Sequence, residues 1–116
     1  MLSEKQFENK VKAYLESQNC WFLKTWSNGV QRFGVPDLLV CCNGYFLGIE
    51  LKASNGKPSD LQLDKIAKIR KAGGMAFVLY PEKFYMLKDL ITDLQQDNDT
   101  EWWLKHQWIF EKGVET

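Results

Sequence analysis

Gly34-Val35-Pro36-Asp37-Leu38-Leu39-Val40-Cys41-Cys42-Asn43-Gly44-Tyr45-Phe46-Leu47-Gly48-Ile49-Glu50-Leu51-Lys52 is the stretch that decides how this chain folds. Two apolar runs flank Asn43-Gly44, the strongest short signal for a two-residue hairpin turn. With that turn fixing the register, Tyr45 faces Cys42, Leu47 faces Val40, Ile49 faces Leu38, and Glu50 faces Asp37. Alternation outward from the turn makes Asp37 and Glu50 a non-hydrogen-bonded pair, with Cα atoms roughly 4.5 Å apart. Lys52, two residues beyond Glu50, leaves the sheet on the same side.

Charge inside apolar strand sequence is costly without a partner, and like charges directly opposed repel. A divalent cation between the acids reverses the sign of that repulsion, and oxygen-only ligands of this kind suit Mg2+ or Mn2+. Such a cation would bind a scissile phosphate oxygen and acidify a water, while Lys52 orients that water or stabilises the developing charge. Gln62, in the first turn of an expected helix, is positioned to hold the water or a phosphate, where helix amides also favour an anion. The spacing alone leaves a second reading open, a surface ion network on an edge hairpin whose register a bulge has shifted.

Other chemistries fit less well. A paired-acid glycosidase needs a sugar cleft that adjacent strands with a lysine two residues on do not suggest. A serine or cysteine hydrolase has no nucleophile elbow here, and the sole histidine, His106, lies in a tryptophan-rich tail. Cys41 and Cys42 are adjacent on a strand and point to opposite faces, so they make poor joint zinc ligands and read as apolar filling.

The 116 residues suit one domain, 1–116, with one core. No apolar run approaches a membrane span, and Met1 leads into Ser3, Glu4 and Lys5 without a signal pattern. An odd number of cysteines fits a reducing, cytoplasmic setting. Formal net charge is zero, which argues against indiscriminate nucleic-acid binding, yet residues 1–90 carry 13 basic and 9 acidic side chains while residues 91–116 carry 2 and 6. The body is therefore mildly basic and compatible with phosphate contact at selected places.

Ser3 and Gln6 form a capping-box signature ahead of Phe7, Val11, Tyr14 and Leu15, predicting a helix over 4–18. Glu8 falls near the border of its buried stripe, where spacing alone reads it as a solvated boundary residue. Aromatic and β-branched content predicts a strand over 20–26, and Ser27-Asn28-Gly29 a turn, followed by a loop through Arg32 and Phe33. Strands are expected at 37–42 and 45–52, with Pro36 at the start of the first. Ser59 and Gln62 repeat the capping box, giving a helix over 60–72 that Gly73-Gly74 ends before an apolar strand over 75–80. Strand, helix and strand in that order imply a crossover that packs the helix on the sheet. A further helix is expected over 84–96, then a break at Asp97-Asn98-Asp99. Trp102, Trp103, Trp108, Ile109 and Phe110 read chiefly as closing the core, with a subunit interface as the next possibility.

The set Gly34-Val35-Pro36-Asp37, Gly48-Ile49-Glu50-Leu51-Lys52 and Ser59-Asp60-Leu61-Gln62 resembles the PD-(D/E)xK nuclease superfamily. It is most similar to the VRR-NUC group, including small stand-alone phage proteins, and to archaeal Holliday junction resolvases. The resemblance runs from the first helix through Tyr80. It implies an α/β fold with a restriction-endonuclease-like core, a mixed β-sheet flanked by helices in the order α-β-β-β-α-β, here with a C-terminal helical extension.

The resemblance also implies site residues: Asp37 and Glu50 as metal ligands, the Leu51 carbonyl as a further oxygen, Lys52 as the catalytic lysine and Gln62 as the helix glutamine. The family's N-terminal helix glutamate, a further catalytic residue and metal ligand, maps onto Glu8, since Glu8, Val11, Leu15 and Asn19 reproduce its spacing; Glu4 fits less well. Ser27 matches a backbone-contacting serine of the resolvases. Implied with these are Mg2+ or Mn2+, DNA as substrate, a homodimer, and a host cytoplasm if the protein is phage-encoded. The expected function is a metal-dependent DNA endonuclease acting on Holliday junctions, flaps or other branched DNA. The alternative is a noncatalytic DNA-binding or assembly module on the same scaffold. A base-specific restriction enzyme would need reading elements for which the chain has little room.

Overall fold

The computed structural model describes residues 1–25, 34–96 and 102–109. The expected Ser27 turn, the loop through Arg32 and Phe33, the Asp97-Asn98-Asp99 break and Phe110 lie outside these residues. Helix α1 spans Glu4–Ser17, strand β1 Trp21–Lys24, β2 Leu38–Cys42 and β3 Tyr45–Leu51. Helix α2 spans Asp60–Lys71, strand β4 Met75–Leu79, helix α3 Phe84–Gln96, and a short α4 Trp102–Lys105. Both predicted capping boxes form: Ser3 and Gln6 cap α1, and Ser59 and Gln62 cap α2. Each box satisfies otherwise orphaned helix amides from both directions, which is why these two starts were readable locally.

The four strands lie in the order β1-β2-β3-β4, antiparallel except for the parallel β3–β4 pair. The Asn43-Gly44 turn sets the expected register, with Cys42 opposite Tyr45 and Leu38 opposite Ile49. Asn43 and Gly44 both take positive φ, 49° and 87°, as a turn matching the twist of the flanking strands requires. Helix α2 is the crossover between β3 and β4 and covers one sheet face with Ile66 and Ile69 over Ala76 and Val78. Helices α1 and α3 cover the opposite face. There Phe7, Val11 and Leu15 meet Leu87, Leu90, Ile91 and Leu94 across alternate residues of β2, β3 and β4. Because β4 is covered on both sides, all five of its residues are buried, and it reads as an unbroken apolar run rather than an alternation.

Among the described residues, the face under α2 is only half roofed. Over β1 and β2 it exposes Trp21, Leu23 and Cys41, joined by Phe46 of β3, and the register sets Trp21 beside Cys41 and Cys41 beside Phe46. Cys41 is thus surface, not filling, because its alternation turns it to the uncovered side. The tail divides similarly: Trp108 packs edge-on against Phe77 with ring centroids 4.7 Å apart and Ile109 is buried, while Trp103 is exposed. His106 is buried, its Nε2 2.6 Å from Asp93 Oδ2 on α3. No helix among the described residues is long and apolar enough to cross a membrane.

Candidate active site

The hairpin register ends where the charges begin. Continuing it one residue past Leu38–Ile49 sets Asp37 against Glu50, and one further sets Pro36 against Leu51. A proline has no N–H, so the ladder cannot continue there, and Asp37 substitutes for it: its Oδ2 accepts a hydrogen bond from the Leu51 amide at 2.8 Å. The same missing donor deprives the Leu51 carbonyl of its antiparallel counterpart on that side. The backbone of Pro36 and Asp37 is held instead by Thr25, whose hydroxyl donates to the Pro36 carbonyl at 2.8 Å and whose amide donates to the Asp37 carbonyl at 2.8 Å.

Glu50 is 2% exposed. Its Oε2 accepts from Gln62 Nε2 at 2.8 Å and lies 3.5 Å from Lys52 Nζ, while its Oε1 is buried without a hydrogen-bond partner among the described residues. Burial, reinforced by the neighbouring Asp37 charge and only partly offset by Lys52, pushes the Glu50 carboxyl up to about 8. Gln62 serves two structures at once. Its Oε1 accepts from the Ser59 amide to close the capping box, which leaves Nε2 free to reach across to Glu50.

The contact that brings α2 to this position comes from Gly34. Its φ is +80°, and a Cβ there would stand 2.3 Å from the Leu61 carbonyl oxygen and 2.8 Å from the Gln62 nitrogen. Only a residue without a side chain lets the loop before Asp37 press against the first turn of α2. The first motif therefore positions the third.

Glu8 joins the cluster through a residue that sequence reading missed. Its Oε1 lies 2.8 Å from Lys24 Nζ, and that ammonium lies 3.5 Å from Asp37 Oδ1. Glu8 Oε2 is taken by Lys12 at 3.2 Å and Lys5 at 3.3 Å. Burial would raise the Glu8 carboxyl, but these lysines overcome it and bring it down to about 2. Burial likewise opposes the Lys24 charge, and Glu8 and Asp37 together hold its ammonium above the usual range. Far from a solvated boundary residue, Glu8 is buried and ionised, with Lys24 between it and Asp37. The one sequence signal for Lys24 was a charge in an otherwise aromatic strand.

The structure thus brings Glu8, Asp37, Glu50, Lys52 and Gln62 to one end of the sheet. Among the described residues no three His, Cys, Asp or Glu side chains form an all-side-chain metal cage. Glu8, expected as a further metal ligand, has both oxygens engaged by Lys24, Lys12 and Lys5, so the set left for a cation is the two carboxylates of Asp37 and Glu50 with the Leu51 carbonyl. It fits a hard divalent cation: every donor is oxygen, and Glu50 Oε1, buried with no hydrogen-bond partner among the described residues, is costly to charge unless a cation meets it.

No protein-family model and no curated protein matches the chain. Among solved structures, the chain is similar to a VRR_NUC domain at 27% identity and a TM-score of 0.61, over 85% of this chain and 100% of that one. It is also similar to Hjc, a Holliday junction resolvase from Archaeoglobus fulgidus, at 21% identity and a TM-score of 0.53, over 66% of each chain. Both neighbours are members of one superfamily. With its mixed four-stranded sheet between helices and its acids where the hairpin ladder stops, this chain has the fold of the PD-(D/E)xK nucleases.

Proposed function

We propose that the chain is a metal-dependent endonuclease that hydrolyses phosphodiester bonds in DNA, selective for branched structures such as junctions or flaps. The observation that carries this reading is the pair of acids, with the buried Glu50 Oε1 lacking a hydrogen-bond partner among the described residues beside Asp37 while its other oxygen is held by Gln62 and Lys52. A nuclease on DNA agrees with the two structural neighbours, one of which is named for resolving Holliday junctions.

Asp37, Glu50 and the Leu51 carbonyl would hold Mg2+ or Mn2+. When bound, that ion supplies positive charge to the scissile phosphate and acidifies the attacking water. The chain's own groups do the rest. Lys52 orients the water and faces the charge that grows on phosphorus oxygens. Gln62 fixes the Glu50 carboxylate, and Lys24, anchored by Glu8, keeps Asp37 in place.

Labelled junction, flap and linear duplex DNA are incubated with the protein, with Mg2+ or Mn2+ and with chelator. Metal-dependent scission of branched DNA is expected, and cutting no greater than that of Glu50→Ala and Lys52→Ala overturns the reading. A noncatalytic DNA-binding or assembly module is the second reading. The exposed Trp21, Leu23 and Phe46 favour it, as surface suited to a partner. Binding to branched DNA without scission would select it.

A further inference from the structure

Behind the acid cluster lies a cavity of about 550 Å³ that the chemistry above does not use. It opens where β3 and β4, the only parallel pair described, deliver their carboxyl ends: the loop after Lys52 forms one wall, and Tyr80 with the turn after it forms another. Crevices at the carboxyl ends of parallel strands are where α/β sheets receive ligands, and the volume is that of a small-molecule site. One residue separates it from Lys52. Gly56 lines the cavity, and a Cβ on it would lie 3.4 Å from the Lys52 side chain.

We propose that this cavity receives an unpaired nucleobase of the DNA strand being cut, next to the scissile phosphate. The proposal rests on the nuclease reading of the adjoining acids. The Gly56 wall of the recess adjoins the Lys52 side chain, so a strand whose phosphate lies at Asp37 and Glu50 has this recess beside it for a neighbouring nucleotide. Its lining suits a base: Tyr80, Pro58 and Leu63 give aromatic and apolar faces, and the Asn55 amide can both donate to and accept from a base edge. Lys57 and Lys83 bring positive charge for the flanking phosphates. The site is also braced. The Tyr80 hydroxyl donates to the Gly56 carbonyl at 3.0 Å, and the Ser54 hydroxyl donates to Glu82, tying the loop to the turn after β4. A base still stacked and paired within a duplex cannot enter a recess of this kind, so the occupant is a nucleotide in a single-stranded arm or at a branch point.

The test uses the full chain and fluorescent flap DNA in which the nucleotides around the cut are made abasic one at a time. Affinity is measured in chelator and scission in Mg2+. One abasic position is expected to weaken binding by about tenfold, the scale of a lost base–aromatic stack. Leu63→Trp, which fills the cavity from the exposed side of α2, is expected to bind intact flap as weakly and to ignore that abasic position; its circular dichroism reports folding. Tyr80→Phe, which keeps the ring, is expected to retain the abasic sensitivity. Wild-type binding that is indifferent to every abasic position, or Leu63→Trp binding that matches wild type, overturns the pocket. If scission persists in that case, the nuclease reading stands alone. Abasic-sensitive binding without metal-dependent scission keeps the pocket and overturns the nuclease, and no binding to any DNA overturns both.

Discussion

At the scale of single residues, the decisive fact is how differently the two oxygens of Glu50 are treated, one held by Gln62 and Lys52 and the other buried with no hydrogen-bond partner among the described residues. Because its carboxyl titrates near 8 in the folded chain against an ordinary 4.5, the folded state keeps a proton that the unfolded state has lost across that interval. Without metal, stability should therefore fall as pH rises from about 4.5 to 8, and Glu50→Gln should flatten that slope in urea unfolding. Mg2+ should raise the melting temperature more at pH 8 than at pH 6 in wild type and hardly at all in Asp37→Asn. Gln62→Glu separates the two jobs of that side chain: the helix cap survives, but the donor to Glu50 becomes a second carboxylate. It should destabilise more at pH 8 than at pH 5. Lys52→Ala should leave folding intact and lower kcat by about 10²–10³, measured on flap DNA.

Among elements, α2 has the most exacting placement, since its first turn must meet the loop at Gly34. Gly34→Ala adds a Cβ to a backbone at φ +80° and drives it against the Leu61 carbonyl. A loss of about 1–3 kcal/mol from the backbone conformation alone is expected, with more from the collision, read as a drop in denaturant midpoint. This contact marks the boundary of what the sequence discloses. Helix starts, the hairpin turn and its register are local, written in Ser3, Ser59 and Asn43-Gly44, so they were legible. The role of Gly34 and the Glu8–Lys24–Asp37 chain depend on elements meeting across the fold, and nothing near them in sequence announces it. Tail residues Trp108 and Ile109 close the core as expected, whereas the outward turn of Trp103 and the His106–Asp93 bond were opaque for the same reason. His106→Ala should cost about 1.5–3 kcal/mol by removing the bond to Asp93, detectable as lower thermal stability.

On the scale of the whole molecule, the half-roofed sheet is the feature with the widest reach. Its bare half presents Trp21, which is 64% exposed, together with Leu23 and Phe46, beside an edge strand. Two copies meeting there would bury this surface and bring two acid clusters into one assembly. Sedimentation velocity should find a dimer that Trp21→Lys converts to a monomer, and a monomeric wild type at all concentrations would remove that expectation. The parallel β3–β4 pair carries a different implication, one of timing. Asp37 and Glu50 are joined by a hairpin with a two-residue turn, which closes quickly, whereas β4 can pair only after the α2 crossover has been spanned. In pulsed hydrogen exchange, the amides of Val40 and Leu47 should gain protection before that of Leu79. The nascent chain would then assemble its two acids early and receive Gln62 and the walls around Tyr80 late, so completion of the crossover, not of the hairpin, is the event that finishes the site.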